Sequence, residues 1–153
     1  MSTVVVKVFP LPHYDPRVPL PSYQTLGSAG ADIAACLPDQ GSITVAPGER
    51  VAVPTGLSVE IPVGFELQVR PRSGLSLNSN LLIVNAPGTV DSDYRGEIKI
   101  LLGNFGRTEH TINHGDRIAQ LVIAPTIQAE FKITEAKLAP SKRGSSGFGS
   151  TGI

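Results

Sequence analysis

The sequence predicts an all-β domain, either a sandwich or a barrel of many short strands. Glycine and proline occupy 29 of the 153 positions (16 Gly and 13 Pro) and are spread along the whole chain. Short runs of Val, Ile and Leu lie between them, which is typical of strands separated by turns. The meander over residues 42–69 shows no helical period, so we expect at most one short helix. A chain of this length forms one domain that buries a real core.

Composition argues against several classes of function. Basic and acidic residues number 13 each, so nothing indicates nucleic acid or an anionic membrane as the main partner. No apolar run approaches the length of a membrane span, and the first ten residues lack the charged head of a signal peptide. The single cysteine, Cys36, permits no intrachain disulfide and favours a reducing compartment, so we expect a cytoplasmic protein. Because Cys36 follows two alanines, we interpret it as a small residue that is buried in the core.

Each predicted strand is an apolar run bounded by turn residues. Residues 10–23 contain five prolines, and we expect an extended surface arm to which no role is assigned. The runs 81–84 and 98–102 should form the two arms of a hairpin whose polar tip lies at a pocket. The predicted strands are residues 4–9, 28–36, 42–45, 49–54, 57–61, 65–69, 81–84, 98–102, 108–112 and 117–124.

Two polar residues interrupt strands that should be nearly buried. Asp32 lies among small residues in SAGADIAAC, and a buried carboxylate needs a partner. It either accepts backbone hydrogen bonds or faces a cation-binding pocket. Gln120 lies inside the apolar run RIAQLVIA. It either makes a cross-strand hydrogen bond or contacts a ligand.

The stretch RPRSGLSL, residues 70–77, has the residue types of an anion site. Arg72 supplies a forked donor, Ser73 a hydroxyl, and Gly74 permits close approach of the backbone. Amides at the start of a helical turn would add favourable dipoles. Alone, Arg-Ser-Gly is equally explained by a turn capped by serine. No Walker-type glycine loop is present in the sequence, so this is not a P-loop.

The stretch GTVDSDYRGE, residues 88–97, places two carboxylates two residues apart. Asp91 and Asp93 would share one side of an unbroken strand, where like charges repel, so one should turn away or find a partner. Most Asp-x-Asp pairs of this kind simply satisfy backbone donors in a turn. The histidines do not have metal-ligand spacing, so a protein-held zinc site is not expected. They are His13, His110 and His114.

The tail RGSSGFGSTG, residues 143–152, cannot fold by itself. One interpretation is a disordered terminus. The other is an arm whose amides, hydroxyls and arginine wrap a triphosphate while Phe148 stacks on a base. We expect a β-rich domain over residues 1–136 and a flexible arm over 137–153.

Five of these motifs occur in order over residues 28–152, and together they resemble the homotrimeric dUTPase family. The motifs are AGADIAA, PRSGLSL, the 85–97 segment with VDSDYRGE, GDRIAQL and RGSSGFGSTG. The resemblance implies hydrolysis of dUTP to dUMP and pyrophosphate with Mg²⁺, which keeps uracil out of DNA and supplies dUMP for thymidylate synthesis. It implies a jelly-roll-like fold, and a homotrimer in which the arm completes a neighbouring chain's active site.

The resemblance also implies a role for individual residues. Asp91 would be the base that activates the water attacking the α-phosphorus, as an ionised carboxylate can. Tyr94 would pack on the deoxyribose, and Lys99 would contact the nucleoside. Asn85 and the backbone at Thr89 and Val90 would bind the uracil edge. The proline of Asn85-Ala86-Pro87 removes one backbone donor there.

The remaining implied roles concern the phosphates. Asp32 would reach Mg²⁺ only through water, because the substrate phosphates hold most of the metal. Phe148 would stack on uracil. Residues that would hold the phosphates are Arg72, Ser73, Gly74 and Gln120, with Arg143, Ser150 and Thr151 at the γ-phosphate.

Two other functions are compatible with this fold. A dCTP deaminase would need a deaminating apparatus around the base, and the sequence shows none. A non-catalytic trimer that binds nucleotide or protein would not need Asp91, Tyr94 and a complete tail. Both are therefore weaker interpretations than a dUTPase.

Overall fold

The computed structural model describes residues 3–147 and is built almost entirely of strands. Within this range the one helix has six residues, and no helix is long and apolar enough to cross a membrane. The elements in chain order are β1 (Lys7–Pro10), β2 (Ala31–Ala34), β3 (Ser42–Val45), β4 (Arg50–Glu60), β5 (Phe65–Arg70), α1 (Ser73–Asn78), β6 (Leu81–Ile83), β7 (Gly88–Val90), β8 (Glu97–Asn104), β9 (His110–Asn113) and β10 (Arg117–Pro125).

Two open four-stranded sheets enclose the core. Their strand orders are β1-β4-β8-β6 and β2-β10-β5-β7, all pairs are antiparallel, and β3 and β9 form a separate pair. Fully buried side chains from both sheets, such as Ile33, Val53, Ile100 and Ile118, lie in one apolar cluster. The all-β prediction is confirmed, as a jelly-roll-like pair of sheets without a closed barrel.

Strand β8 shows how the alternating pattern positions the site. Ile98, Ile100 and Leu102 point into the core, whereas Lys99 and Leu101 are exposed on the other face. This two-residue period follows from the pleat. The two arms of the predicted hairpin do pair, since β6 is antiparallel to β8. Their connection is not a simple turn, because it contains β7, which pairs with β5 in the other sheet.

Residues 49–54 and 57–61 were expected to be separate strands, and this prediction is wrong. They form the single strand β4, whose register with β8 shifts between Pro54 and Ser58. Gly56 has φ +70, which glycine adopts without strain. The hydroxyl of buried Thr55 donates to the Ile98 carbonyl at 2.7 Å. Pro-Thr-Gly therefore makes a bulge rather than a turn, because the strand continues along the same partner.

The proline-rich segment is only partly the surface arm that was expected. Asp15 and Val18 are buried, and Val18 packs with Ala34 and Cys36. Cys36 is fully buried, as predicted. Residues 11–18 therefore cover one side of the domain.

Asp15 anchors this segment through a cluster of hydrogen bonds. Its carboxylate accepts bonds from the Arg17 side chain at 2.6–3.0 Å, and His114 Nε2 lies 3.2 Å from its Oδ2. Hydrogen bonds from the side chain and backbone of Arg17 hold the pKa of Asp15 far below its ordinary value of 3.8. His114 Nδ1 accepts from the Leu37 N–H at 3.0 Å, so the proton of the neutral imidazole is on Nε2.

The chain leaves the domain after β10. Thr126 donates its N–H to the Gly64 carbonyl at 2.9 Å, and residues 127–146 are all exposed. The boundary placed at residue 136 stays a prediction.

Candidate active site

The first pocket of interest lies at the end of β7, next to β8. It is a cavity of about 230 Å³ that we call the Asp91 pocket. Six of the seven residues predicted to contact the base, the sugar or the attacking water line it, and the seventh, Phe148, lies outside the described residues. The six are Asn85, Thr89, Val90, Asp91, Tyr94 and Lys99.

The two carboxylates do not lie on one continuous strand. Strand β7 ends at Val90, and the turn that follows is closed by the Tyr94 N–H donating to the Asp91 carbonyl at 3.2 Å. Arg95 donates to the carbonyls of Ser92 and Tyr94 at 2.7 and 2.9 Å, which fixes the turn. Asp91 lines the pocket, whereas Asp93 does not. Within residues 3–147 no side chain is hydrogen-bonded to the Asp91 carboxylate, so its oxygens are free to accept a proton.

Tyr94 has a fixed position over Gly96. Its hydroxyl donates to the Glu97 carbonyl at 3.1 Å. A Cβ added to Gly96 would lie 2.3 Å from that hydroxyl oxygen and 2.5 Å from the adjacent ring carbon. Gly96 is therefore required for the ring to lie along this wall of the pocket.

Glu97 is a pocket residue to which the sequence argument gave no role. Its Oε1 accepts hydrogen bonds from the Gly56 N–H and from His13 Nε2, both at 2.9 Å. Its Oε2 lies 3.7 Å from Lys99 Nζ. Glu97 ends the motif VDSDYRGE, but His13 is 84 residues away, and no local pattern predicts that contact.

The second pocket, which we call the Arg72 pocket, is a cavity of about 300 Å³ where β2, β10 and the β5–α1 connection meet. Arg72 directly precedes α1, and Ser73 and Gly74 are its first residues. Four of the seven residues predicted to hold phosphates line this pocket together with Asp32. The complete lining is Gln24, Ser28, Ala29, Gly30, Asp32, Arg72, Ser73, Gly74 and Gln120.

Asp32 is paired with two arginines, a partner that neither sequence alternative included. Its Oδ1 accepts from Arg72 Nε at 3.1 Å, and its Oδ2 accepts from Arg117 at 3.0 Å. Arg72 also donates to the Arg117 carbonyl at 2.9 Å. Two guanidinium groups against one carboxylate leave this corner with a net positive charge. No role was predicted for Arg117 although it lies in GDRIAQL, because Asp32, which it contacts, is 85 residues away in the sequence.

Gln120 makes a hydrogen bond to the neighbouring strand's end, as one of its two alternatives predicted, and its contact with a ligand stays a prediction. Its side-chain amide donates to the Pro71 carbonyl at 2.9 Å, and it also lines the Arg72 pocket. A Cβ added to Gly30 would lie 2.0 Å from Gln120 Oε1. Gly30 therefore provides the space in which this side chain lies.

The two pockets are separate within one chain, since no residue lines both. Arg143 lines neither, and its Nε donates to the Ser146 carbonyl at 2.9 Å. Phe148, Ser150 and Thr151 lie outside the described residues. Over residues 3–147 there is no group of three or more His, Cys, Asp or Glu side chains that could hold a metal ion.

Comparison with known sequences gives one consistent family. The dUTPase family model matches residues 17–152. The deoxyuridine 5'-triphosphate nucleotidohydrolase of Roseobacter denitrificans is 54% identical over 138 residues, which cover 90% of this chain and 90% of that protein. The enzyme of the same name from Maricaulis maris is 49% identical over 152 residues, 99% of each chain.

Solved structures have the same fold. The dUTPase of Staphylococcus bacteriophage 80alpha with dUPNHPP has a TM-score of 0.86 and 27% identity, and the match covers 99% of this chain and 100% of that one. A variant of the phage phi11 dUTPase, described with a coordinated structural Mg(II) ion, has a TM-score of 0.75. It is 24% identical over 88% of this chain and 99% of that one, so it supports the fold alone.

Proposed function

Because this chain belongs to the dUTPase family and hydrolyses dUTP to dUMP and pyrophosphate, we propose that each active site is built from more than one copy of it. The Asp91 pocket of one chain binds the nucleoside, and the Arg72 pocket of another binds the phosphates. The assembly is a homotrimer, in which the tail of a neighbouring chain completes each site. The related deaminase is not supported by the family match.

The charges of the two pockets are the main support for this division. The Asp91 pocket contains one cationic residue, Lys99, beside two acidic ones, Asp91 and Glu97. A triphosphate carries several negative charges and needs more donors than that. The Arg72 pocket supplies arginine, hydroxyl and amide donors but has no lining residue in common with the first. Neither pocket alone can bind the whole substrate.

The segment after β10 also supports an assembly. Ile127, Phe131 and Ile133 are 97%, 95% and 101% exposed within this chain, and Leu138 follows at 83%. Apolar residues at 127, 129, 131 and 133 alternate with polar ones, which is the pattern of a half-buried strand. Such a strand needs an apolar surface to cover it, and a second copy of the chain provides one.

Asp91 acts as the base in this mechanism. Its carboxylate is exposed to the pocket on a fixed turn, where it can accept a proton from a water molecule that attacks the α-phosphorus. Departure of pyrophosphate then leaves dUMP. The groups of the Arg72 pocket that donate hydrogen bonds to the phosphates stabilise the charge that develops on the transferred group.

The walls of the Asp91 pocket select the nucleoside. The Tyr94 ring, held over Gly96, packs on the deoxyribose and leaves no space for a 2′-hydroxyl. Asn85 and the backbone of β7 at Thr89 and Val90 bind the uracil edge. A site that hydrogen-bonds its base strongly rejects bases that leave those groups unpaired.

Asp32 fits a magnesium ion only through water, since both of its carboxylate oxygens already accept from arginines. Magnesium is commonly held by one carboxylate and substrate phosphates, with several waters retained. When bound, it would neutralise phosphate charge and fix the triphosphate for in-line attack. Cytoplasmic location stays a prediction from the single cysteine.

Mixed assemblies test the shared site. We expect Asp91→Asn chains and Arg72→Ala chains to be inactive separately. After equal amounts are unfolded and refolded together, random mixing in a symmetric trimer restores about one quarter of the wild-type sites, because each such site takes its two intact residues from different chains. Pyrophosphate release from dUTP measures the recovery. A mixture as inactive as its components would show that both residues act within one chain.

A further inference from the structure

We propose that His13 is a positioning residue for the Asp91 pocket, acting through Glu97 on the side chains that face the nucleoside. The inference rests on the proposed placement of the nucleoside in that pocket. His13 belongs to the proline-rich segment, which had no assigned role. It does not line the pocket itself.

The contact between His13 and Glu97 is close and sheltered. His13 Nε2 lies 2.9 Å from Glu97 Oε1, and the two side chains are 25% and 13% exposed. A carboxylate only accepts hydrogen bonds, so the imidazole carries a proton on Nε2 and donates it. The Gly56 N–H donates to the same oxygen at 2.9 Å. Oε1 is therefore fixed by two donors.

Glu97 contacts two other side chains of the pocket. Its Oε2 is the ion-pair partner of Lys99 at 3.7 Å, and its backbone carbonyl accepts from the Tyr94 hydroxyl at 3.1 Å. Lys99 is 52% exposed and has no closer ion-pair partner in the described chain. A Glu97 side chain that could rotate would move Oε2 away from Lys99, so fixing Oε1 keeps a negative charge beside the Lys99 ammonium group.

His13 is itself held on both sides. The Leu11 N–H donates to the Gly56 carbonyl at 2.8 Å, and the Cys36 thiol donates to the His13 carbonyl at 3.6 Å. The Asp15 cluster anchors the segment just beyond. The imidazole thus reaches Glu97 from a rigid support, as a positioning group requires.

The test is binding of dUMP by calorimetry together with steady-state hydrolysis of dUTP. We expect His13→Ala to raise the Kd for dUMP and the KM for dUTP about fivefold, the typical net effect of one hydrogen bond, with little change in kcat. His13→Gln should restore both values, because its amide can donate from a similar position. If His13→Ala leaves the dUMP Kd unchanged, the proposal is wrong.

Two controls separate positioning from general loosening of the segment. Arg17→Ala weakens the Asp15 anchor but leaves the bond between His13 and Glu97 and the bonds that hold Leu11 and the His13 carbonyl. It should therefore lower the melting temperature without changing the dUMP Kd. In a Glu97→Ala background, His13→Ala should have no further effect on that Kd. Equal effects of Arg17→Ala and His13→Ala, or a full effect of His13→Ala in the Glu97→Ala background, would overturn the proposal.

Lys99→Ala distinguishes failure of this inference from failure of the proposed site. We expect Lys99→Ala to weaken dUMP binding. If it does so while His13→Ala does not, only the role of His13 is wrong. If Lys99→Ala also binds dUMP normally, the placement of the nucleoside is wrong, and the role of His13 is overturned with it.

Discussion

Asp91 has a fixed backbone, and no described side chain is hydrogen-bonded to its carboxylate. The turn closed by Tyr94 and Arg95 sets its position, and the pocket leaves its oxygens accessible. A base needs this combination, because it must be placed accurately yet remain free to take a proton.

Replacing Asp91 by Asn tests this role directly. The amide keeps the shape but cannot accept the proton from water, so we expect turnover of dUTP to fall by about 10²–10⁴-fold. Nucleotide should still bind, since the other pocket walls are intact. Pyrophosphate release gives the rate, and calorimetry with a non-hydrolysed dUTP analogue gives the affinity. Turnover close to wild type would remove Asp91 as the base.

Gly30 makes a second residue-scale prediction. In Gly30→Ala the added methyl group would overlap Gln120 Oε1, so the Gln120 side chain must leave its place in the Arg72 pocket. We expect the KM for dUTP to rise roughly tenfold through the lost phosphate contact. Gly27→Ala is the matched control, because nothing lies within 4 Å of the added carbon. Equal KM values for the two variants would separate Gln120 from substrate binding.

The local motifs predicted residues that line each pocket, but they did not predict the long-range partners of those residues. Asp91, Tyr94 and Lys99 lie within nine residues of one another, in the turn after β7 and at the start of β8, so their proximity follows from this short connection. Glu97 is hydrogen-bonded to His13, and Asp32 to Arg117, and each partner is more than 80 residues away along the chain. No sequence period encodes such contacts, because they depend on how the sheets pack.

Among the elements, strands were predictable where apolar and polar residues alternate between turn residues. The range of β3 was predicted in full, β5 and β10 are each one residue longer than predicted, and β8 extends past its predicted range by one residue at the start and two at the end. Strand β4 was divided because Pro-Thr-Gly resembles a turn, and only pairing with β8 makes it a bulge. The burial of residues 11–18 was missed because proline-rich composition says little about tertiary packing.

The Asp15 cluster predicts how this segment responds to acid. The folded protein lowers the pKa of Asp15 below 3.8, so the stabilisation is fully present above that pH and is lost as the pH falls below it. We expect the free energy of unfolding to decrease in this acidic range, and Asp15→Asn to lack that part of the decrease. Denaturant titrations of both proteins from about pH 7 to about pH 2 measure it. Parallel curves for the two proteins would contradict the prediction.

For the whole molecule, the tail is the part whose function depends most on assembly. Its described residues make only local contacts, such as that between Arg143 and Ser146, and contribute nothing to the core. The stacking role of Phe148 and the phosphate contacts of Ser150 and Thr151 remain predictions from the family resemblance.

Deleting residues 143–153 should therefore separate catalysis from folding. We expect kcat/KM for dUTP to fall roughly tenfold to hundredfold, as loss of one base-stacking contact would cause. The melting temperature and the size of the assembly by light scattering should not change. Unaltered kinetics would show that the tail plays no part in the reaction.

The separation of the two pockets also makes the catalytic output depend on how many chains meet. In the proposed assembly, an isolated chain has all the necessary groups but cannot bring them together around one substrate. Specific activity should then fall when the enzyme is diluted below the dissociation constant of the assembly. The cell's supply of chains would set a threshold for removal of dUTP, and a small change in gene expression near it would have a disproportionate effect.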